Sequence, residues 1–302
     1  PLSDDFNGAE QEGVGIYQLT QKDGRRHTAA HAYLLPHRQR PNLTVRTHTQ
    51  VQRIVFEDRR AIGVEIVRDG QRQLIRARRE VVLAAGAFQS PQILMLSGVG
   101  DATELGAFGI PLVHHLPGVG KNLQDHPDFI FGYRSRSLDT FGVSAGGSMR
   151  MLREYGRYRR TRRGAFTSNF AEGGGFLRTR PELELPNVQL HFVIALVDDH
   201  ARKFHFGHGF SCHVCLLRPR SVGSVALSGN RIEDVPLIDP AFLADPRDLD
   251  ELVEGFKLTR RLMQAPSLAE LIERDLFTAD VRTDDEIRAV LRARTDSVYH
   301  PV

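Results

Sequence analysis

The sequence has few cysteines, no long apolar run and almost no excess charge. Its 302 residues include only two cysteines, which are too few for a disulfide framework and suit a reducing compartment. No apolar run approaches the roughly 18 residues that a membrane-spanning helix needs, and no signal peptide is visible. The 40 Lys and Arg against 37 Asp and Glu leave a formal charge of +3, which does not argue for nucleic-acid binding. We therefore predict that this chain is a globular part of a cytoplasmic protein.

The two cysteines, Cys212 and Cys215, form a Cys-x-x-Cys pair, a spacing that redox pairs and zinc sites use. They lie in an alternating stretch that predicts a strand, and residues three apart on a strand point to opposite faces. No second ligand pair accompanies them, and His205, His208 and His213 lack a carboxylate at ligand spacing. We therefore predict structural cysteines and no metal site.

A Gly-x-Gly-x-x-Gly dinucleotide fingerprint is also missing. Gly13, Gly98 and Gly118 each begin a Gly-x-Gly, but none has a further glycine three residues on. No alternating strand precedes any of them as a phosphate-binding turn requires. The chain by itself thus lacks the phosphate-binding turn of a dinucleotide fold.

The most informative stretch that is present covers residues 79–100. It predicts a buried apolar strand over residues 81–85, then a turn of small residues around Gly86, then a helix with Ser90 as N-cap and Pro91 as first residue. Small residues let a ligand lie against the backbone, and a helix N-terminus favours an anion. An ordinary turn in the core would use the same residues, so both interpretations stay open here.

A family resemblance adds to this interpretation. The spacing of Gly86-Ala87, Ser90-Pro91, Ile93-Leu94 and Ser97-Gly98-Val99-Gly100 resembles the second signature of the glucose-methanol-choline (GMC) flavoenzymes. Similar blocks occur throughout most of the chain, at residues 4–8, 13–15, 24–26, 32–34, 40–45, 118–127 and 218–225. The branch it most resembles is that of choline dehydrogenase and related bacterial alcohol dehydrogenases.

Periodicity and resemblance together predict an α+β fold. Short strands over residues 42–78 predict a small antiparallel layer in an α/β flavin-domain remnant. Residues 187–196, 210–217 and 224–227 predict long strands of an antiparallel-sheet substrate domain, with one face on helices and the other on a cavity. Asp245 and Pro246 open a helix with apolar residues at 3.6-residue spacing.

The same periodicity and family resemblance predict the domain boundaries. Residues 1–130 are assigned to a partial FAD-binding domain and residues 131–290 to a substrate-binding domain. Residues 291–302 begin the return to the FAD-binding domain. Because relatives carry the missing fingerprint and continue beyond a Tyr-His-Pro segment, the resemblance predicts an internal fragment cut at both ends.

The resemblance implies FAD-dependent oxidation of choline or another primary alcohol to an aldehyde. Hydride passes to the flavin, and electrons pass on to a quinone-like acceptor. In the fragment alone, FAD is expected to be absent or weakly bound, and catalysis to be lost. The missing fingerprint keeps an alternative open, in which the chain is a non-catalytic scaffold or binding module.

Site residues are assigned where the family motif exists. His300 lies in a segment similar to the family's Tyr-His-Pro and is expected to be the catalytic base, because imidazole titrates near neutral pH. Ala85, Gly86 and Asn122 are expected cofactor neighbours. Val51 resembles the residue whose backbone contacts the adenine of FAD, although a core strand valine would look the same.

Two further features have a functional and an ordinary interpretation. Glu172 resembles the position where choline-oxidising members hold a carboxylate for the substrate ammonium group, but a surface carboxylate beside a glycine-rich turn is the alternative. A stretch that begins at Arg150 and ends at Arg163 contains seven arginines. It could attach the protein to an anionic inner-membrane surface, or it could be a solvated helix rim or loop.

Overall fold

A computed structural model describes residues 1–199, 202–203 and 205–302. Its helices are α1 (Gly86–Leu96), α2 (Ala102–Ala107), α3 (Ala145–Thr161), α4 (Pro246–Met263), α5 (Pro266–Ala269) and α6 (Asp284–Arg294). Its strands are β1 (Gly13–Ile16), β2 (Gln21–Lys22), β3 (Arg25–Arg26), β4 (Gln50–Glu57), β5 (Arg60–Arg68), β6 (Gln71–Arg76), β7 (Val99–Gly100), β8 (His114–His115), β9 (Lys121–Leu123), β10 (Pro127–Arg134), β11 (Gly173–Leu177), β12 (Val188–Val193), β13 (Gly209–Leu216), β14 (Gly223–Ala226), β15 (Leu237–Asp239), β16 (Arg274–Asp275) and β17 (Asp296–Ser297). This mixture of helices with mainly antiparallel strands confirms the predicted α+β class.

The chain divides into two compact units. Unit 1 consists of Pro1–Gln39, His126–Arg220 and Asp245–Val298. Unit 2 consists of Arg40–Asp125, Ser221–Ala244 and Tyr299–Val302. These units describe packing, and the assignment of residues 1–130, 131–290 and 291–302 to flavin and substrate domains stays a prediction.

Unit 1 contains the largest sheet, in the order β1-β11-β12-β13-β10-β16, with β17 also paired to β10. Helix α4 packs on one face of it. Phe256 of this helix is fully buried, and its ring centroid lies 4.7 Å from that of Phe131 and 5.2 Å from that of Phe129. The helix begins where the sequence predicts, because the Asp245 side chain accepts a hydrogen bond from the Arg247 backbone N–H.

Strand β13 of this sheet confirms the prediction for the two cysteines. Its register pairs Cys212 with Phe131 on the α4 face and Cys215 with Asp128 on the opposite face, so the two thiols point apart as expected. Both thiols are buried and unbridged, and burial raises the pKa of Cys212 to about 12. Every residue of β13 is buried, and the cavity predicted on the second face stays a prediction.

Unit 2 combines helix α1 with three small sheets. The antiparallel sheet β4-β5-β6 confirms the later strands of the series predicted over residues 42–78, whereas the strand predicted at residues 43–46 does not form. A second sheet, β15-β14-β9, contains the predicted strand at 224–227, which begins one residue earlier and does not belong to the large sheet. Strands β7 and β8 form a short parallel pair.

Candidate functional site

The segment before α1 differs from its prediction. Residues 81–84 belong to no strand or helix within the part of the chain that the structure describes. Val81 and Leu83 pack on the apolar cluster of unit 2, whereas Val82 is 79% exposed. Alternate residues of this segment are therefore buried although no neighbouring strand pairs with it. An alternating sequence pattern does not determine whether a partner strand lies alongside.

Helix α1 begins five residues earlier than predicted. Ala85 is its N-cap, and Gly86 is its first residue with a φ of +84°. Pro91 therefore lies inside the helix, and Ser90 is not the N-cap. The Ser90 hydroxyl instead accepts a hydrogen bond from the Ala85 backbone N–H at 3.1 Å, which ties the bend to the helix. The end of the helix is as predicted, because Gly98 follows it with a φ of +83°.

The two left-handed glycines around α1 have opposite surroundings. A Cβ added at Gly98 would lie 2.3 Å from the Pro111 carbonyl oxygen, so this glycine is required by close packing. A Cβ added at Gly86 would meet nothing within 4 Å. The bend is thus open on the side where a side chain would project, and this open space fits a ligand that lies against the main chain.

The bend rests on a compact support. Ala85 packs on a cluster that includes Ile54, Ile93 and Leu96. The Ser97 hydroxyl accepts a hydrogen bond of 2.8 Å from the Ile54 backbone N–H, which joins α1 to β4. Val51 lies three residues before Ile54 on β4 and is half-buried. The structure therefore positions Val51 and the bend on elements that pack directly against each other.

Asn122 is exposed on β9 and has a φ of +61°, a conformation that asparagine tolerates better than most residues. The strand is held by a hydrogen bond of 2.7 Å from Val225 N–H to the Gly120 carbonyl. Met95 of α1 lies beside the same glycine, since its Cε would be 3.5 Å from an added Cβ. Asn122 is therefore anchored close to α1.

His300 is exposed and follows Tyr299, which has a φ of +72°. Two residues further on, Val302 exchanges two backbone hydrogen bonds of 2.9 Å with Gln124. This pairing brings the His300 segment beside the chain that follows Asn122. Unit 2 thus contains all of the following predicted residues: Val51, Ala85, Gly86, Asn122 and His300.

Glu172 belongs to unit 1 instead. Its side chain is exposed, and its backbone carbonyl accepts a hydrogen bond of 2.9 Å from the Tyr17 N–H. Neighbouring Phe170 has a φ of +69° and packs its ring on that of Phe141 at 4.6 Å. Within unit 1, the carboxylate of Glu172 is therefore accessible to solvent.

A buried polar row on the large sheet was not predicted. His213 Nδ1 and Asp128 Oδ2 form a hydrogen bond of 2.6 Å, and Asp128 is fully buried. His191 lies opposite His213 across β12 and β13, and the Tyr17 ring lies 5.6 Å from the His191 ring. The carboxylate of Asp128 orients the imidazole of His213. Only the strand register reveals this grouping.

His205 and His208, for which the sequence predicts no metal site, have hydrogen-bonding partners within the fold. His205 Nε2 is 2.7 Å from Asp198 Oδ2, and Arg294 donates to the other oxygen of Asp198 at 2.7 Å. His208 Nε2 is 2.8 Å from the Ser144 hydroxyl, which caps α3. Among the described residues, no group of three or more His, Cys, Asp or Glu could hold a metal ion. No described helix has the length and apolarity needed to cross a membrane.

Comparison with known proteins agrees with these features. Family models for GMC oxidoreductases match residues 1–128 and 219–302. An alcohol dehydrogenase (acceptor) of Pseudomonas putida is 44% identical over 301 residues, covering 99% of this chain and 54% of that protein. The mitochondrial choline dehydrogenase of Mus musculus is 38% identical over 302 residues, covering 100% of this chain and 50% of that protein.

Solved structures give the same answer. An FAD-dependent oxidoreductase from Chaetomium thermophilum superimposes with a TM-score of 0.87 at 25% identity, covering 100% of this chain and 59% of that one. The chain spans about half the length of the curated relatives it matches. With family models at both ends and relatives in the predicted branch, the chain belongs to the GMC oxidoreductase family.

Proposed function

We propose that the protein catalyses FAD-dependent oxidation of an alcohol to an aldehyde. The observation that carries this proposal is the open, left-handed bend at Gly86, which leaves room for a nucleotide against the main chain. The alcohol and choline dehydrogenases among the relatives support the same reaction class. When bound, FAD would supply the hydride acceptor, a role that no amino-acid side chain can fill.

The cofactor contacts are assigned to unit 2. The bend at Ala85 and Gly86 would let the cofactor approach the backbone, and the N–H groups at the start of α1 favour its negative charge. Asn122 offers an exposed amide that can donate and accept hydrogen bonds. Val51 would contribute a backbone contact.

His300 is proposed to take the proton from the substrate hydroxyl. A neutral imidazole can accept this proton near neutral pH, and removing it makes loss of hydride from the same carbon easier. The exposed position of His300 beside the Gln124–Val302 pairing supports access to a ligand bound on unit 2.

The test is anaerobic reduction of the flavin in the protein at its full encoded length. His300→Ala should slow reduction by alcohol about 100-fold or more, whereas His37→Ala, at another exposed histidine, should leave it unchanged. Equal reduction rates in wild type and His300→Ala would remove this residue from the mechanism.

Glu172 is proposed to bind a cationic group of the substrate, which would make choline a substrate. Glu172→Gln should then raise the KM for choline while leaving the KM for a neutral alcohol such as hexan-1-ol unchanged. Equal effects on both alcohols would assign Glu172 a structural role. A panel of alcohols measured with each variant identifies the preferred substrate.

A quinone-like molecule is proposed as the electron acceptor. In that case reduced enzyme should transfer electrons to a soluble quinone much faster than to oxygen. Stoichiometric formation of hydrogen peroxide with air-saturated buffer would show an oxidase instead.

We propose further that helix α3 attaches the protein peripherally to the inner membrane from the cytoplasmic side. Its outward side presents Met149 and Leu152, which are 70% and 69% exposed. Exposed apolar side chains on a basic helix are typical of segments that lie on a membrane surface.

The charge of this helix supports the same proposal. Arg153, Arg157 and Arg160 are exposed beside the two apolar residues. Glu154, the one acidic residue between positions 145 and 163, turns inward, where it accepts a hydrogen bond of 3.2 Å from the Ala165 N–H. Glu154 also pairs with Arg157 at 3.8 Å, which leaves Arg153 and Arg160 as the outward charges that suit anionic lipids.

Vesicle sedimentation tests this attachment. Arg153→Gln with Arg160→Gln should weaken binding to vesicles containing phosphatidylglycerol by about 2 kcal/mol, or about 30-fold. Leu152→Ser should also weaken it, whereas Val235→Ser, at a site 77% exposed in unit 2, should not. Equal binding of wild type to neutral and anionic vesicles would refute the proposal.

A further inference from the structure

A cavity of about 530 Å³ lies within unit 1 and is lined by none of the residues assigned to cofactor or alcohol. It is lined by the end of β10, the last turns of α4, β16 and the segment that precedes α6. This volume is in the range of sites that hold small organic molecules. The chemistry of the lining side chains identifies the class of ligand.

The first indication is a tyrosine that lines the cavity and whose hydroxyl forms no hydrogen bond with the described chain. Tyr133 lines the cavity and is only 4% exposed, yet its hydroxyl has no hydrogen-bonding partner among the residues that the structure describes. Tyr17, the other buried tyrosine, differs in this respect, because its hydroxyl donates to the Leu190 carbonyl at 2.6 Å and accepts from Gln189 at 3.1 Å. Buried tyrosine hydroxyls usually have such partners. A ligand in the cavity would supply the one that Tyr133 lacks.

The second indication is positive charge that is only partly compensated, since Glu286 interacts electrostatically with Arg282. Arg260 and Arg282 both line the cavity, and neither forms an ion pair with a carboxylate of the described chain. Arg260 is held in place by stacking on the Phe256 ring at 4.6 Å and by a hydrogen bond of 3.3 Å to the Thr278 carbonyl. Its guanidinium is therefore pre-positioned and retains unused donors.

The carboxylate that lines the cavity does not neutralise these arginines. Asp275 accepts hydrogen bonds from the backbone N–H groups of Phe277 and Thr278 at 3.0 and 2.9 Å. Its other oxygen accepts from the Thr278 hydroxyl at 2.5 Å. Burial raises the pKa of Tyr133, so this phenol stays a neutral donor at physiological pH. The free polar groups of the cavity are thus mainly donors.

The rest of the lining is apolar. Met263, Ile272 and Val281 contribute aliphatic surface, and Gln264 adds an amide. A bare inorganic anion would leave this aliphatic surface without contacts. An organic anion with a short hydrocarbon part satisfies both halves of the lining.

We infer that this cavity binds a small aliphatic carboxylate. Its carboxylate would accept hydrogen bonds from the Tyr133 hydroxyl and the Arg260 guanidinium, with Arg282 adding charge at the entrance. Its hydrocarbon part would pack on Met263 and Ile272. All of these residues belong to unit 1, and none of them is assigned a role in the proposed flavin chemistry.

Titration calorimetry with hexanoate tests the inference, on wild type and on variants that keep the fold. Tyr133→Phe removes only the hydroxyl, and Arg282→Gln removes an exposed charge. Each should raise the Kd for hexanoate by about threefold to tenfold. The matched control is Arg261→Gln, which alters the exposed neighbour of Arg260 without lining the cavity and should leave the Kd unchanged.

The choice of ligand provides a second discrimination. Hexan-1-ol and inorganic phosphate should each bind at least about tenfold more weakly than hexanoate, because each satisfies one half of the lining. Absence of hexanoate binding, or a Kd unaffected by both Tyr133→Phe and Arg282→Gln, would overturn the inference. Tighter binding of phosphate than of hexanoate would overturn the ligand class. None of these results depends on whether the protein oxidises alcohols.

Discussion

Replacing Gly86 with alanine separates the two reasons for a glycine at the bend before α1. The backbone φ of +84° would strain any L-residue, at a cost of about 1 to 2 kcal/mol. The added methyl meets no protein atom within 4 Å, so no packing clash adds to this cost. Gly86→Ala should therefore lower the free energy of unfolding by no more than this strain energy.

Alanine substitutions at two other glycines serve as controls for Gly86→Ala. Gly70, in the turn between β5 and β6, has a φ of +76° and equally open surroundings, so Gly70→Ala should cost the same 1 to 2 kcal/mol or so. Gly98→Ala adds a contact of 2.3 Å to the Pro111 carbonyl and should cost about 3 kcal/mol or more. Urea unfolding of the three variants measures these differences.

Flavin binding then distinguishes Gly86 from Gly70. In the protein at its full encoded length, Gly86→Ala should raise the Kd for FAD about tenfold or more, because the methyl would occupy space that the cofactor needs. Gly70→Ala, with matched strain, should leave the Kd unchanged. Equal FAD affinity in Gly86→Ala and wild type would refute the interpretation of the bend as a cofactor contact.

Further predictions concern stability and its pH dependence. Phe256→Ala removes the ring between α4 and the large sheet and should lower the free energy of unfolding by about 4 kcal/mol in urea titrations; a loss below 1 kcal/mol or so would contradict the described core. Thr283→Ala breaks the capping box with Glu286 and should cost about 1 kcal/mol in the same assay. Burial raises the pKa of Tyr17 to about 12, so folded protein holds this proton while unfolded chains lose it above pH 10. Stability should therefore fall as pH rises from 10 to 12, and Tyr17→Phe should reduce this fall in thermal unfolding measurements.

Local signals in the sequence predict the elements that local interactions determine. Helix α4 begins at its Asp245 cap, and its apolar residues face the sheet as their spacing indicates. The hairpins of β4, β5 and β6 are likewise correct, because short turns join consecutive strands. The end of α1 at Gly98 follows from the same chemistry of left-handed glycine.

Long-range pairing explains what the sequence does not reveal. Asp128 and His213 are 85 residues apart, and only the register of β10 and β13 brings them within 2.6 Å. The start of α1 was wrong because the positive φ of Gly86 turns the chain into the helix before Ser90, and no residue type encodes that angle uniquely. Contacts that depend on which strands become neighbours need the folded chain.

A visible absorption spectrum tests most simply whether the protein binds FAD and uses it to oxidise an alcohol. It is recorded on the purified protein at its full encoded length, with added FAD. We expect the absorbance of protein-bound flavin, which should bleach when an alcohol is added without oxygen. Protein that binds no flavin under these conditions would contradict the account and would favour a non-catalytic scaffold or binding module.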